Sequence, residues 1–427
     1  MAKRHLPVRP DLDQLRRQAK DLMRQIRRGD AAALADLAEH HPERVDPGSA
    51  RLADSQLALA RSYGVPSWPR LVLACRIVDA IWLDDEDALR TMLLKHPTSI
   101  HETARGTERC NWGPPLSYAA NLGRDRIIAM LHGLGATDLD KAIGRATLQG
   151  RIDTARKLYD LMGRPQPPED CLGGPAYTLS ATGTALMFEF GARVRDADGR
   201  RLAPVDVVLE TDSRKPAAKH QILEMYVRHG LELPDTPTMA LHRGRIDLLE
   251  DHLRRDPLLI GRTFSHEEIY PPELGCHDEV LATHGTPLGG ATLLHMCADY
   301  GEIEIAAWLL DRGMDPDAKA EVDADGFGGH TALFSAVVSQ VNFWPNHSGT
   351  PHETSLTRLL LDRGADPTIR ASLRKRLHPG YDEPAMHVSR DVTPLSWGER
   401  FHFKKLVSAP AMKLIAERMG LPEAGRR

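Results

Sequence analysis

The sequence lacks most features of secreted or membrane-spanning proteins. Aromatic residues make up 5% of its 427 residues, and no apolar run reaches the roughly 18 residues that a membrane-spanning helix needs. The first residues, Met-Ala-Lys-Arg-His-Leu-Pro, show no apolar stretch typical of a signal peptide. The five cysteines include no C-x-x-C pair, which favours reduced thiols over a disulfide framework. We therefore expect a cytoplasmic protein without membrane contact.

Neither sign of charge dominates the chain, which has 55 basic and 59 acidic residues and a net charge of −4. This balance gives no bulk attraction to nucleic acid or to a membrane surface. A local basic cluster, which could contact phosphates or nucleic acid, consists of Arg16, Arg17, Lys20, Arg24, Arg27 and Arg28. It lies on the polar face of one short helix and has no interleaved aromatic residues. That pattern favours an ordinary solvated helix face.

Two segments near the C-terminus share one pattern, in which a threonine leads into a short helix and a glycine ends a second, Leu-rich helix. In the first copy, glycines follow Thr292 by nine residues (Gly301) and by 21 residues (Gly313). The second copy runs from Thr331 to Gly364 and is about 12 residues longer between its helices. An upstream segment that begins at Pro114 keeps both offsets of the first copy, at Gly123 and Gly135. The apolar spacing within these segments is helical rather than alternating.

This pattern resembles the ankyrin repeat, a helix-turn-helix unit of about 33 residues with a T-P-L-H-x-A signature. The resemblance implies an all-α fold, an ankyrin-repeat α-solenoid with short β-turn fingers, because single units cannot bury their apolar faces alone. Weaker copies predict helix pairs at 142–161, 179–192, 205–230, 239–253 and 392–419. We therefore predict degenerate repeats over 75–262, a polar insertion over 263–289, and repeats over 290–427 with insertions at 321–330, 341–353 and 372–391.

Residues 1–74 lack the repeat pattern and are predicted to form a helical cap. Leu15, Ala19, Leu22 and Ile26 have the spacing of an amphipathic helix, and Asp30 is a candidate N-cap for a second helix. The stretch Leu52-Ala-Asp-Ser-Gln-Leu-Ala-Leu-Ala-Arg-Ser-Tyr-Gly-Val-Pro-Ser-Trp-Pro69 resembles a segment that precedes the repeats in a group of bacterial ankyrin-repeat proteins. That resemblance implies protein interaction and brings no catalytic residues.

The insertions carry the densest polar residues of the chain. Because loops of successive ankyrin units project on the same side, the insertions are expected to converge over one groove. Candidate residues for binding a partner or ligand there are His284, Asp323, Asp325, His330, Asn342, Trp344, Arg374, Arg376, Tyr381, Arg390 and Asp391.

No metal or cofactor site is predicted. The stretch from Glu321 to Gly326 mimics the first half of a calcium-binding loop, but the twelfth position is Ala332 instead of the bidentate glutamate. His295 takes the histidine position of the repeat signature, where a structural role is favoured over catalysis. The chain contains no G-x-S-x-G elbow and no Gly-rich phosphate loop.

Three functional hypotheses remain from the sequence. The first is an interaction module that binds a protein or peptide on its concave or loop face. The second is an enzyme, or a protein that binds a small polar ligand or metal, using the C-terminal loops. The third is phosphate or nucleic-acid contact through the basic N-terminal helix. The lack of a catalytic motif favours the first and leaves enzymatic activity undecided.

Overall fold

The computed structural model describes residues 4–107, 111–211, 214–277, 285–339, 354–377 and 385–421. The chain divides into two compact units, Met1–Pro165 and Gln166–Arg427. Among the described residues, no helix combines the length and the apolar character needed to cross a membrane.

The first unit is helical throughout its described part, apart from loops and two short 3-10 turns. Its helices are α1 (Leu12–Arg27), α2 (Ala31–His40), α3 (Leu52–Ser62), α4 (Trp68–Trp82), α5 (Glu86–Lys95), α6 (Pro115–Leu122), α7 (Asp125–Gly133), α8 (Leu139–Leu148) and α9 (Ile152–Leu161).

The helices at the start of this unit follow the sequence pattern closely. α1 buries the four apolar residues whose spacing predicted it, and the side chain of Asp30 accepts the backbone N–H of Ala33 at the start of α2. Together α1 to α4 enclose one apolar core. The predicted domain boundary after residue 74 falls inside α4. Leu71, Cys75 and Val78, which lie on both sides of that boundary, are all buried on this helix.

The second unit contains the remaining helices and two small antiparallel sheets. Its helices are α10 (Gly173–Tyr177), α11 (Ala181–Glu189), α12 (Val205–Glu210), α13 (Pro216–Arg228), α14 (Pro237–His242), α15 (Ile246–Arg255), α16 (His266–Ile269), α17 (Leu293–Tyr300), α18 (Ile303–Asp311), α19 (Ala332–Val337), α20 (Ser355–Asp362), α21 (Pro394–Arg400) and α22 (Ala409–Arg418). Its strands are β1 (Thr263–Phe264), β2 (Ala291–Thr292), β3 (Ala371–Leu377) and β4 (Ala385–Val392).

Helix pairs stack so that the first helix of one pair packs on the first helix of the next, and the second helix on the second. α17 packs on α19 and α19 on α21, while α18 packs on α20 and α20 on α22. The upstream pair α6–α7 begins 178 residues before α17–α18, so the matching offsets in the sequence mark matching helices. After α17, Gly301 adopts φ 74°, a left-handed conformation that side chains with a Cβ rarely take. The helical repeat pattern predicted for these segments is confirmed.

Two β-paired segments lie between helix pairs along the chain. β1 pairs with β2, which closes the ends of the segment predicted as a 263–289 polar insertion. That segment contains α16 as well as loop, and residues 278–284 lie outside the described part. The 372–391 insertion was expected to be a loop, but most of it forms the β3–β4 hairpin. The alternation of exposed and less exposed residues along 386–390 is the period of two that marks a strand.

The interior of the second unit contains a polar cluster formed by residues at the start of α13 and around the turn between α17 and α18. The buried ion pair Lys219–Glu302 has 2.9 Å between Nζ and Oε1, and His220 Nε2 lies 2.9 Å from the same carboxylate oxygen. Arg214 pairs with Asp299 at 2.9 Å. Burial lowers the pKa of Lys219 against the opposing charge of Glu302. Burial alone would raise the pKa of Glu302, but Lys219 and His220 hold it below its ordinary value.

Candidate functional site

Three segments of the second unit surround one groove of about 440 Å³. They are the described parts of the segment between β1 and β2, the β3–β4 hairpin, and the segment 321–330. We call the last of these the finger, and an antiparallel bridge between Val322 and Gly328 closes it. The lining residues are Ser265, His266, Pro287, Gly289, Gly290, Glu321, Val322, Asp323, Phe327, Gly328, His330, Leu373, Arg374, Lys375 and Met386. The predicted convergence of the insertions is therefore observed for these three segments, while 341–353 lies outside the described residues.

The finger 321–330 is fastened to the hairpin by charge. The Arg374 guanidinium forms ion pairs with Asp323 and Asp325, each at 2.8 Å. Arg374 and Arg390 both lie over the Phe327 ring, at 4.7 and 4.3 Å from its centroid. Four of the predicted ligand-binding side chains therefore contact each other or the same ring, and they bring the finger and hairpin together.

The other predicted residues have separate outcomes. Asp391 pairs with Arg370 at 2.8 Å, close to the base of the hairpin and away from the groove lining. Arg376 lies on β3, but its side chain is outside the described part of the chain. Four more candidates also fall outside the described residues, namely His284, Asn342, Trp344 and Tyr381.

Two neighbouring histidines, His295 and His330, are buried, and His330 is one of the residues that line the groove. His295 Nδ1 accepts the backbone N–H of Thr292 at 3.2 Å, and its Nε2 donates to the carbonyl of His330 at 2.9 Å. These contacts confirm the structural role expected for the signature histidine. His330 Nε2 donates to the carbonyl of Pro287 at 3.0 Å. Burial lowers the pKa of His295 to about 4 and that of His330 to about 3, so both rings are neutral at pH 7.

Three exposed apolar side chains, which we call the apolar rim, were not predicted from the sequence. Val322, Met386 and Val388 are 62%, 56% and 53% exposed, whereas large apolar side chains are usually buried. Val388 lies opposite Arg374 in the hairpin register. The signal that could have revealed this rim is the alternation of 385–392, which places Met386, Val388 and Arg390 on one face of a strand.

Gly328 is the close-packed point of the finger. Its N–H donates to the Ser372 carbonyl at 2.7 Å, its φ is 121°, and a Cβ there would lie 1.8 Å from the Glu321 carbonyl oxygen. We expect Gly328→Ala to destabilise the protein by about 1–3 kcal/mol, because the new Cβ would force Gly328 away from Glu321 and Val322 on the opposite side of the finger. Gly326→Ala is the matched control, since Gly326 also has positive φ but open space around it. Urea unfolding and hydrogen exchange of the hairpin amides would measure both, and equal effects would contradict this account.

The calcium-like stretch is used for internal contacts. Asp323 accepts the backbone N–H groups of Asp325 and Phe327, each at 2.9 Å, in addition to its ion pair with Arg374. Within the described part of the chain, no group of three or more His, Cys, Asp or Glu side chains is arranged to hold a metal ion.

Half of the basic cluster on α1 is engaged in local contacts. Arg16 pairs with Asp13 at 2.8 Å and Arg24 with Asp21 at 2.7 Å. Arg27 donates to the Ala50 carbonyl. These contacts give the three cationic side chains roles within the first unit that need no phosphate partner.

Comparison with known proteins identifies one part of the chain. The ankyrin-repeat family model matches residues 289–321, which include β2, α17 and α18. The match shows that this helix pair is similar to an ankyrin repeat. The matched segment contains His295, and its residues Gly289, Gly290 and Glu321 line the groove. Ankyrin repeats are generally protein-interaction modules that use extended binding surfaces.

Two similar proteins carry the same description. An ankyrin repeat-containing protein of Saccharomyces cerevisiae is 29% identical over 145 residues, which are 33% of this chain. The chain spans 65% of the length of that yeast relative. The human ASB11 ankyrin repeat domain matches over 70% of this chain and 97% of its own, with 14% identity and a TM-score of 0.25.

Proposed function

We propose that the protein is an interaction module that holds an extended peptide segment of a protein partner in the groove between its fingers. The observation that carries this proposal is the apolar rim: Val322 and Met386 are exposed and line the groove, and the exposed Val388 lies on the same strand as Met386. The groove itself is lined by both apolar and charged side chains. Apolar side chains clustered at one site on a surface mark interaction sites more often than isolated ones do.

The charges of the groove favour binding over proton-transfer chemistry. Asp323 and Arg374 neutralise each other, and Asp323 has a lowered pKa because it accepts two backbone N–H groups and faces Arg374. His330, with a pKa of about 3, is too weak a base to accept a proton near pH 7. A peptide that contacts both the rim and the groove would use the apolar and polar surfaces together.

A random peptide library displayed on phage tests the proposal with the full chain as target. We expect selected peptides to lose at least about tenfold in affinity on Met386→Asp or Val322→Asp, because a carboxylate replaces an apolar contact. Leu258→Asp is the control, since Leu258 is 82% exposed and lies outside the groove lining. The proposal fails if no peptide is selected, or if all three variants bind the selected peptides as the original chain does.

The remaining parts of the proposal concern the whole chain. We place the cap over 1–74 and the degenerate repeats over 75–262, as the sequence pattern suggests, and we assign the protein to the cytoplasm. The resemblance of residues 52–69 to a segment of bacterial ankyrin-repeat proteins supports a bacterial source. No cofactor is part of the proposal.

A further inference from the structure

Strand β4 has a free edge. It pairs with β3, and within the described residues no other strand or isolated bridge reaches it. Along this strand Met386, Val388 and Arg390 are exposed, whereas the two residues between them are half-buried. A strand at the edge of a sheet presents unpaired backbone N–H and C=O groups on which another chain can pair. The exposed edge of β4 is therefore a surface that can accept an additional strand.

The contacts of β3 show which backbone groups of β4 point outward. The Ser372 carbonyl accepts the N–H of Gly328, so it points toward the finger and away from β4. Opposed residues of an antiparallel pair alternate between hydrogen-bonded and non-hydrogen-bonded pairs. Because Ser372 points away from β4, the next pair, Leu373 with Ser389, is hydrogen-bonded. The N–H and C=O of Val388, which precedes Ser389, therefore face the free edge, as do those of the residue two positions before it.

Two arginines lie at one end of this edge. Both Arg390 and Arg400 are exposed. Arg400 donates to the Arg390 carbonyl at 3.5 Å, and the Arg390 guanidinium lies over the Phe327 ring. Within the described part of the chain, neither guanidinium is paired with a carboxylate. Glu399 precedes Arg400 on α21, but adjacent side chains of a helix do not face each other.

The acids near these arginines are engaged by other residues. Asp391, the next residue of β4, pairs with Arg370 at 2.8 Å. Asp323 and Asp325 of the finger both pair with Arg374. A carboxylate on an added strand would therefore meet two cations at this end of β4 without displacing an internal ion pair.

We propose that the free edge of β4 binds an extended segment of a partner protein as an added antiparallel strand, with an acidic side chain opposite Arg390 and apolar side chains opposite Val388 and Met386. Directly opposed side chains of an antiparallel pair lie on the same face, where opposite charges and apolar contacts stabilise the pairing. Because β4 runs from Met386 to Arg390, the added segment reads acidic, any residue, apolar, any residue, apolar. This inference rests on the proposed peptide-binding function, shares two residues of the apolar rim, and specifies the partner segment.

The peptides selected from the library on the full chain give the first test. We expect them to contain the acidic-x-apolar-x-apolar pattern. Arg390→Glu should weaken their binding by about tenfold, because an opposed attraction becomes a repulsion. A peptide with Lys in place of the acidic residue should bind this variant better than the original chain does, which excludes a folding defect as the cause. Arg193→Glu is the control, since Arg193 is exposed and lies outside the hairpin and the groove lining.

The second test detects main-chain pairing. N-methylation of a synthetic peptide removes one backbone N–H at a time and leaves the protein unchanged. Methylation at the acidic position and at the two apolar positions should weaken binding, because those N–H groups face β4, whereas methylation at the intervening positions should have little effect. Hydrogen exchange of the Met386 and Val388 amides should slow when the peptide binds. The Ser389 amide, which faces β3, is the internal control.

The outcomes separate this inference from the proposed function. If no selected peptide depends on Met386 or Val322, both are overturned. If peptides depend on Val322 but not on Arg390, or if N-methylation shows no alternation, the function stands and the strand-addition inference is wrong. An acidic residue at the opposite end of the pattern would overturn the antiparallel placement. Self-association of the chain that Val388→Asp abolishes would show that a second copy occupies the edge, and would also overturn the inference.

Discussion

Replacing Glu302 by alanine is expected to lower the free energy of unfolding by about 3–5 kcal/mol, because it leaves the buried ammonium of Lys219 without its counter-charge. The side chains of Glu302 and Lys219 are 3% and 1% exposed, so both charged groups of the ion pair are buried within the second unit. The Lys219 ammonium also lies 3.9 Å from the centroid of the Tyr300 ring, which cannot replace a full negative charge. Urea unfolding followed by circular dichroism measures the loss.

Two further variants separate the buried charge from the loss of side-chain volume. Glu304→Ala removes a carboxylate of the same size from an exposed position on α18, and its effect should stay within about 0.5 kcal/mol. The double variant Lys219→Met with Glu302→Leu replaces the whole pair by apolar side chains and should recover most of the stability. A loss below 1 kcal/mol for Glu302→Ala would contradict the account.

Acidification from pH 6.5 to 4.5 should remove about 4 kcal/mol of stability through His295 and His330. Burial places their folded pKa values at about 4 and about 3, below the ordinary value of 6.5. The unfolded chain therefore binds more protons than the folded chain at acidic pH. The stabilising effect is fully present above pH 6.5 and is lost as the pH falls toward the folded pKa values. Urea unfolding at half-unit pH intervals measures it.

Variants at His330 and at its neighbour Phe334 show whether His330 causes this pH dependence. His330→Phe removes one titrating ring. As the pH falls below 6.5, the stability of this variant should therefore decrease by about 1.4 kcal/mol per pH unit less than that of the original chain. Phe334→Leu is the control, because Phe334 packs 6.1 Å from His330 and carries no titratable group. It should lower stability equally at every pH. An unchanged slope in His330→Phe would show that His330 does not carry the effect.

The helices of this protein were predictable where a local pattern specifies them. α2 begins directly after the predicted N-cap Asp30, and α9 ends at residue 161, as predicted for the helix pair 142–161. Caps and apolar spacing act over a few residues, which is why the sequence specifies them. α10 was missed, since its five residues, Gly173 to Tyr177, show too short a stretch for helical spacing to be recognised. The sequence does not predict the β3–β4 hairpin. Its polar residues Arg374, Arg376 and Arg390 are also typical of a loop that binds a ligand.

The candidate site was only partly predictable. The sequence indicated that Asp323, Asp325, Arg374 and Arg390 would converge, and they do. It could not show that they satisfy each other, because the partners of a charged side chain depend on positions about 50 residues apart. The apolar rim was missed for the same reason, since exposure of Val322 and Met386 is a property of the folded surface.

By itself the sequence determined the helical repeat pattern, the position of the helix pair that matches the ankyrin-repeat family model, and the structural role of His295. These depend on turns, caps and spacing within some 33 residues. Only the tertiary structure decided that the finger and hairpin are joined by ion pairs, that Lys219 and Glu302 are buried together, and that the buried His330 lies among the residues that line a groove. The physical reason is that burial and pairing depend on which distant residues meet, and local patterns do not encode those distances.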